Sequence, residues 1–342
     1  MRLCVLGAGA VGSAVVELAA EHGHVVTAFA DSDSAVVDAD GIDADAVLSK
    51  KREDGVVGDA DPESVFDADY DVLVEATPTT LGDAEPGFSH VERALYDVLV
   101  EATPTTLGDA EPGFSHVERA LADDRHVVLA NKGPVAERYA DVRALEADSE
   151  GTVRFGATVG GALPILSTIE DVGPSRVSAV YGVLNGTANF VLSRMAAEGL
   201  DYEHVLAEAQ DLGVAEADPT FDVDGTDTAL KGVIVANVLA EGETEFTLDD
   251  AAVEGIQELS GGMLDLAQED GQTIRLIVEV ADGSVRVGPR LVSANGAVAP
   301  SGTENAVQIE ADYCGRLGIT GRGAGGPETA SAVLTDVERL AD

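Results

Sequence analysis

Over roughly its first 130 residues the chain alternates short, mostly apolar runs with segments of helical periodicity. Residues 2–6 (RLCVL), 24–29 (HVVTAF) and 126–130 (HVVLA) read as strands buried on both faces, and 11–21 (VGSAVVELAAE) reads as an amphipathic helix. Strands and helices in this alternation predict an α/β fold, a doubly wound parallel sheet covered on both sides. From about residue 151 the rhythm changes. Strand-like 152–157 and 177–184 precede helices near 189–198, 202–212 and 227–240, and strands at 273–280, 284–287 and 306–310 follow. A glycine-rich loop at 318–326 leads into a last helix, 329–340. We expect a first domain at 1–133, a mixed α/β domain at 134–316 and a tail, 317–342, that returns to the first domain.

One segment occurs twice. Residues 70–95 read YDVLVEATPTTLGDAEPGFSHVERAL, and residues 96–121 repeat all 26 letters. Structural repeats keep their pattern while surface positions drift, and a stack needs at least about three units. Identity at every position therefore marks a recent tandem duplication or an assembly artefact. Each copy is one βα unit: DVLVEAT as a buried strand, a loop with Pro and Gly, and a short helix around SHVERAL. Only one can fill a single sheet position. The second copy runs directly into the 126–130 strand, so we assign it that position and expect the first to be displaced or added at an edge.

Composition narrows the function. The 342 residues are 45% hydrophobic, enough for a sizeable core, and carry a formal charge of −43 from 63 acids spread along the chain. Such a surface fits a protein kept soluble in concentrated salt, where the Debye length shrinks to ~3 Å at 1 M. It repels phosphate backbones and anionic headgroups, which excludes nucleic acid and membrane as partners. No run of about 18 apolar residues occurs, and the amino terminus reaches its glycines too soon for a signal-peptide core. Cys4 and Cys314 offer no disulfide framework, so a reducing cytoplasm is expected.

Lysine is scarce: Lys50, Lys51, Lys132 and Lys231 are the only four. Lys132 ends the 126–130 strand region and Lys231 closes EADPTFDVDGTDTALK, residues 216–231. Burial and neighbouring charge can tune a lysine, unlike an arginine, into a proton donor or acceptor near neutral pH.

The run GAGAVG at residues 7–12 follows a predicted strand and opens a helix, the context a dinucleotide fingerprint requires. It makes the first domain Rossmann-type, with Gly7, Gly9, Ala10, Val11 and Gly12 as the expected pyrophosphate contacts. Asp31 stands at the tip of the second strand, where a carboxylate holds the ribose hydroxyls, which favours NAD. Lys50, Lys51 and Arg52 form the only local basic cluster; they either reach a 2′-phosphate, which keeps NADP open, or line a solvated loop. Within 216–231, an EF-hand alignment on Gly225 would put acids at 220 and 231, where Thr220 and Lys231 stand, so a calcium loop is rejected. Asp227 and Lys231, four apart at a helix start, share a face; taken alone they read as a surface ion pair worth about 0.2–0.5 kcal/mol.

Taken together, the motifs resemble homoserine dehydrogenases. The resembling runs are ANKGP at 130–134, ATVGGALP at 157–164, GVLNGTAN at 182–189, the highly specific 213–231 signature, and GAGG at 323–326 with Thr329-Ala330, in family order across nearly the whole chain. The resemblance implies reversible oxidation of L-homoserine to L-aspartate 4-semialdehyde with NAD or NADP, in threonine and methionine biosynthesis, by a homodimer whose second domain is catalytic and dimerising. It implies Lys231 as the catalytic proton donor, and Lys132 as its partner at the substrate oxygen and nicotinamide. It further implies Glu216 on the substrate ammonium, Asp227 positioning the hydroxyl, Thr103 or its twin Thr77 on the nicotinamide side, and Gly323 closing over the cofactor. A monovalent cation, sodium or potassium, is implied on the main-chain oxygens of Gly156, Val159, Gly161 and Leu163. Gly156 stands where the family commonly has Glu. The duplication has no family counterpart, and feedback control by an appended regulatory domain is not expected.

Rival readings have less behind them. A nucleotide sensor, or a chain disabled by its duplication, would not need Glu216, Asp227, Lys231 and Lys132 together; a dehydrogenase of another small amino acid, such as aspartate, is the third. The six histidines lack metal-ligand spacing, and Ser167 and Ser193 lack a nucleophile elbow.

Overall fold

The computed structural model describes residues 1–78 and 86–341, so the copy-one loop at 79–85 lies outside the described residues. The chain forms two compact units, Met1–Ala162 with Gly325–Asp342, and Leu163–Ala324.

The first unit is built on seven strands: β1 (Arg2–Leu6), β2 (Val25–Ala30), β3 (Ala35–Val37), β4 (Val72–Glu75), β5 (Val98–Glu101), β6 (His126–Leu129) and β7 (Val153–Arg154). Their order in the sheet is β3-β2-β1-β4-β5-β6-β7, parallel throughout except for β3. The central strands are apolar on both faces because helices cover both. On one face Ala10–Leu18 and Gly326–Ala341 together bring Val15, Val333 and Val337 against Val5, Val74 and Val100. Each such fully buried side chain contributes about 1.5–3 kcal/mol.

The two repeat copies correct the expectation drawn from their sequence. Neither is displaced and neither sits at an edge: β4 of copy one and β5 of copy two lie side by side in the middle of the sheet, Val72 opposite Val98 and Glu75 opposite Glu101. Copy one pairs with β1 and copy two with β6. The physical reason is that a parallel sheet accepts one strand per βα unit. An interior strand satisfies its backbone on both sides and buries its Val-Leu-Val, whereas a displaced copy would leave both in water.

The second unit carries a six-stranded mixed sheet, β13-β12-β8-β10-β11-β9, from β8 (Val177–Val183), β9 (Ala251–Val253), β10 (Gln272–Ala281), β11 (Ser284–Ser293), β12 (Asn305–Ala311) and β13 (Gly315–Gly321). The Thr226–Ala240 helix lies against β10 and β11; a Cβ at Gly232 would stand 2.5 Å from Val278, so the helix approaches this closely only through glycine. Two further expectations change. The first part of the supposed loop 318–326 is β13, which extends a hairpin with β12 and so uses backbone pairing that its glycines do not oppose. The strand expected at 152–157 stops at Arg154, and Gly156–Thr158 coils into a 3-10 turn.

Candidate active site

In the first unit the glycine turn has the shape a dinucleotide requires. Gly7 has φ +101°, and a Cβ there would stand 2.4 Å from the Ala76 carbonyl oxygen; a Cβ at Gly12 would stand 1.9 Å from the Gly7 carbonyl oxygen. Both positions admit only glycine. Gly9, by contrast, has nothing within 4 Å of where a Cβ would lie, so this face of the turn is open at the start of the Ala10–Leu18 helix, where backbone N–H groups attract an anion. A cavity of about 530 Å³ extends from it, walled by Asp31, Lys51, Phe66, Thr77 and His90. Room and donors both fit a dinucleotide.

Asp31 follows β2 at the far wall. Its Oδ1 accepts from the Asp33 and Ser34 backbone N–H groups at 2.9 and 2.7 Å, and its Oδ2 accepts from Lys51 Nζ at 2.7 Å. Burial pushes the carboxyl up, but the Lys51 ammonium and the loop donors outweigh it and hold it below the usual carboxylate value. Of the basic cluster, only Lys51 reaches the cavity; Lys50 pairs with Asp59 at 2.6 Å, and Arg52 bonds along its own helix to Leu48 and Ser49.

The two copies meet this half-site differently. Thr77 lies beside the glycine turn, its backbone nitrogen 2.9 Å from the Gly7 Cβ position, and its hydroxyl donates to Glu75. Thr103 is 3% exposed and donates to Glu101 in the same way, but it also accepts from the Asn131 amide at 3.3 Å. Asn131 Oδ1 in turn accepts from the Gly133 N–H at 2.9 Å, and Thr105 Oγ1 accepts from the Lys132 N–H at 3.2 Å. Copy two thus fixes the backbone on either side of Lys132, itself half-buried at the start of the Gly133–Glu137 helix.

In the second unit, Asp227 and Lys231 lie on one face of the Thr226–Ala240 helix, as their spacing predicts, but buried: each is 7% exposed. Lys231 Nζ donates to Asp227 Oδ2 at 2.6 Å and to the Leu184 carbonyl oxygen at 2.6 Å. Asn185, in the 182–189 run, also belongs to this network. Its Nδ2 donates to Asp227 Oδ2 at 2.9 Å and to Asp222 at 2.7 Å, while its Oδ1 caps the Gly186–Glu198 helix at the Ala188 N–H, 2.8 Å away. Capped by Asn185, this helix starts three residues before the expected 189, and the contact of Asn185 to Asp227, 42 residues on, has no signal in the local sequence.

The remaining expected residues are more dispersed. Glu216 is exposed, and among the described residues no hydrogen bond or ion pair joins its carboxylate to Lys231 or Asp227. Gly323 is buried against Asn305. Of the expected cation-binding carbonyls, that of Gly156 accepts from Val159 N–H at 3.4 Å and that of Leu163 from Ile165 N–H at 2.8 Å, and Gly161 adopts φ +52°. Asp336 Oδ2 accepts from the Gly156 N–H at 2.7 Å.

A model of the family described as homoserine dehydrogenase matches residues 164–337, and one of the glutamate/leucine/phenylalanine/valine dehydrogenases matches residues 1–81. The chain is 35% identical to a homoserine dehydrogenase of Methanocaldococcus jannaschii across 98% of its own length and 97% of that protein's. It is 32% identical to an NAD(+)-dependent homoserine dehydrogenase of Pseudomonas canavaninivorans across 98% and 95%. A solved Archaeoglobus fulgidus chain assigned to the same enzyme, 35% identical, superimposes with a TM-score of 0.81 over 99% of each chain.

Proposed function

This chain belongs to the homoserine dehydrogenase family, and from that premise we propose that it interconverts L-homoserine and L-aspartate 4-semialdehyde with NAD(P), Lys231 carrying the proton. The observation that supports this most is the buried Lys231–Asp227 pair. A protonated lysine has three N–H donors. Two are engaged by Leu184 and Asp227, and the third is the one we assign to the substrate oxygen. An ammonium held in this way stabilises a developing alkoxide without reorganising, and in the oxidative direction the amine receives the hydroxyl proton. Asp227 offsets its charge and aims it, and Asn185 holds Asp227. When bound, the nicotinamide supplies the hydride acceptor at the carbinol carbon.

Lys132 is the proposed second ammonium at the substrate oxygen, and Glu216 the anchor of the substrate ammonium. Gly7, Gly9, Ala10, Val11 and Gly12 would cradle the pyrophosphate, and Gly323 would close over the cofactor. Asp31 and Lys51 at one wall supply a carboxylate for free ribose hydroxyls and an ammonium for a 2′-phosphate, which supports use of both NAD and NADP. The named cofactor of the Pseudomonas relative is NAD(+). The monovalent cation on the Gly156, Val159, Gly161 and Leu163 carbonyls remains part of the proposal, as do a homodimer, a role in threonine and methionine biosynthesis, and a salt-rich cytoplasm, which the charge of −43 supports. Among the described residues no helix is long and apolar enough to cross a membrane. The functional division proposed at about residues 133 and 316 is separate from the compact units, which part at Ala162 and Gly325.

Homoserine-dependent NAD(P) reduction in multimolar salt tests this reading. Lys231→Met is expected to lower kcat by about 10³-fold with nucleotide affinity unchanged; a variant that keeps its turnover rejects Lys231 as the proton carrier.

A further inference from the structure

The duplication gives this chain two identical Glu-x-Thr strand ends where the fold has use for one, and the structure sets them to different tasks. The cavity beside the glycine turn is lined by Ala76, Thr77, Pro78 and His90 of copy one; among its lining residues none comes from copy two. Copy one is also the neighbour that confines Gly7, through the Ala76 carbonyl and the Thr77 nitrogen. Copy two lies one strand further on, between copy one and β6. Glu101, Thr103 and His116 are 0%, 3% and 0% exposed, and the Thr103 hydroxyl is joined through the Asn131 amide to the Gly133 N–H, one residue past Lys132.

We propose that the copies have divided one role in two: Thr77, with His90 behind it, is the threonine that contacts the bound dinucleotide, and Thr103 is a positioning residue that holds the Lys132 loop. The inference rests on the dehydrogenase reading above and deepens it. Register carries it. Because β4 lies between β1 and β5, Thr103 stands one further strand from the glycine turn than Thr77, a step of ~4.8 Å. A hydroxyl displaced by that distance lies beyond direct hydrogen-bond reach of a group that Thr77 contacts. His90 differs from its twin in the same sense. Its Nδ1 lies 2.9 Å from Glu75 Oε2 and its side chain is 22% exposed at the cavity, while the His116 side chain is sealed.

The test is one substitution made at each site in the full chain, read by direct titration with NADH and NADPH fluorescence and by steady-state kinetics in multimolar salt. Thr77→Val is expected to weaken nucleotide binding about fivefold, the loss of one hydrogen bond. Thr103→Val is expected to leave binding within about twofold and to lower kcat, with Thr103→Ser restoring it. Thr103→Ser also covers a Thr103→Val chain that fails to fold: turnover near that of the unaltered chain supports a positioning hydroxyl. Equal weakening of binding by both valine variants, or weakening by Thr103→Val alone, overturns the division. An unaltered chain that binds neither nucleotide overturns the dehydrogenase reading itself and the division with it.

Discussion

The same 26 letters fold twice in adjacent places, and what surrounds each copy decides what its residues do. The strands are indistinguishable: Val72–Glu75 and Val98–Glu101 are buried throughout and pair in register. The helices that follow are not. Copy two runs for ten residues, Gly113–Ala122, and 123–125 form the turn into β6. Copy one stops after eight, Pro86–Arg93, because the duplication joined Leu95 directly to Tyr96 and left only 94–97 to reach β5. Leu121 is consequently 2% exposed and Leu95 79%. A connection length set at the splice outweighs side-chain identity, since a helix cannot keep its last turn and also return to the sheet through too short a loop.

The largest effect should come from removing the comparison altogether. Deleting residues 70–95 or residues 96–121 yields the same polypeptide, so one strand must then serve both β1 and β6. The glycine turn and Lys132 would come closer by one strand spacing, ~4.8 Å. Misplacement of reacting groups by even about 1 Å can cost 10²-fold, so homoserine oxidation by the single-copy chain is expected to run about 100-fold faster than in the duplicated chain. In that chain one Thr→Val substitution should weaken nucleotide binding and slow turnover together. Equal rates with and without the repeat would mean that the sheet tolerates the extra strand at no catalytic cost.

Next in size is the packing difference. Leu121→Ala should destabilise by about 3 kcal/mol, the usual cost of emptying a filled leucine site, whereas Leu95→Ala should stay within about 0.5 kcal/mol. Urea midpoints at fixed salt measure both. Comparable losses would show that copy one's helix end is packed after all.

Much of this was legible in the chain, for physical reasons that also mark where legibility ends. Residues 2–6 and 126–129 declared themselves as strands because buried parallel strands have no polar face to interrupt the run. The Asp227–Lys231 pairing followed from helical spacing, although spacing alone favoured a surface pair and the pair is buried. β13 was missed because its glycines at 315, 318 and 321 suppress the apolar alternation that marks a strand, while its partner β12 supplies the hydrogen bonds. Asn185 was not singled out, because its contact to Asp227 depends on a carboxylate brought near only by folding. The placement of the copies was legible only in part: chain continuity put copy two beside the 126–130 strand, where β5 lies, but with every letter shared no local pattern could place copy one between it and β1. Nor could Thr77 be ranked above Thr103, because the neighbour that separates them is the repeat itself.

The smallest expected effect lies on the wall opposite copy one, where Asp31 meets Lys51. Asp31's carboxyl, pushed up by burial but held lower overall by Lys51 and the Asp33 and Ser34 donors, has a folded value below its unfolded one. Such a group adds stability that is complete above the unfolded value and is lost as pH falls through the folded one. Acidification below about pH 4 should therefore loosen the cavity wall beside copy one. Asp336 titrates with the opposite sign: burial raises its carboxyl despite the Gly156 N–H and nearby arginines, so what it contributes is fully present below its unfolded value and declines as pH rises. The acid limb of the unaltered chain sums both, and only its difference from Asp31→Asn isolates the wall. That variant should melt lower at neutral pH and lose less on acidification; an acid limb as steep as the unaltered chain's would place the titration elsewhere and leave Lys51 anchored there by its bond to the Gly55 carbonyl.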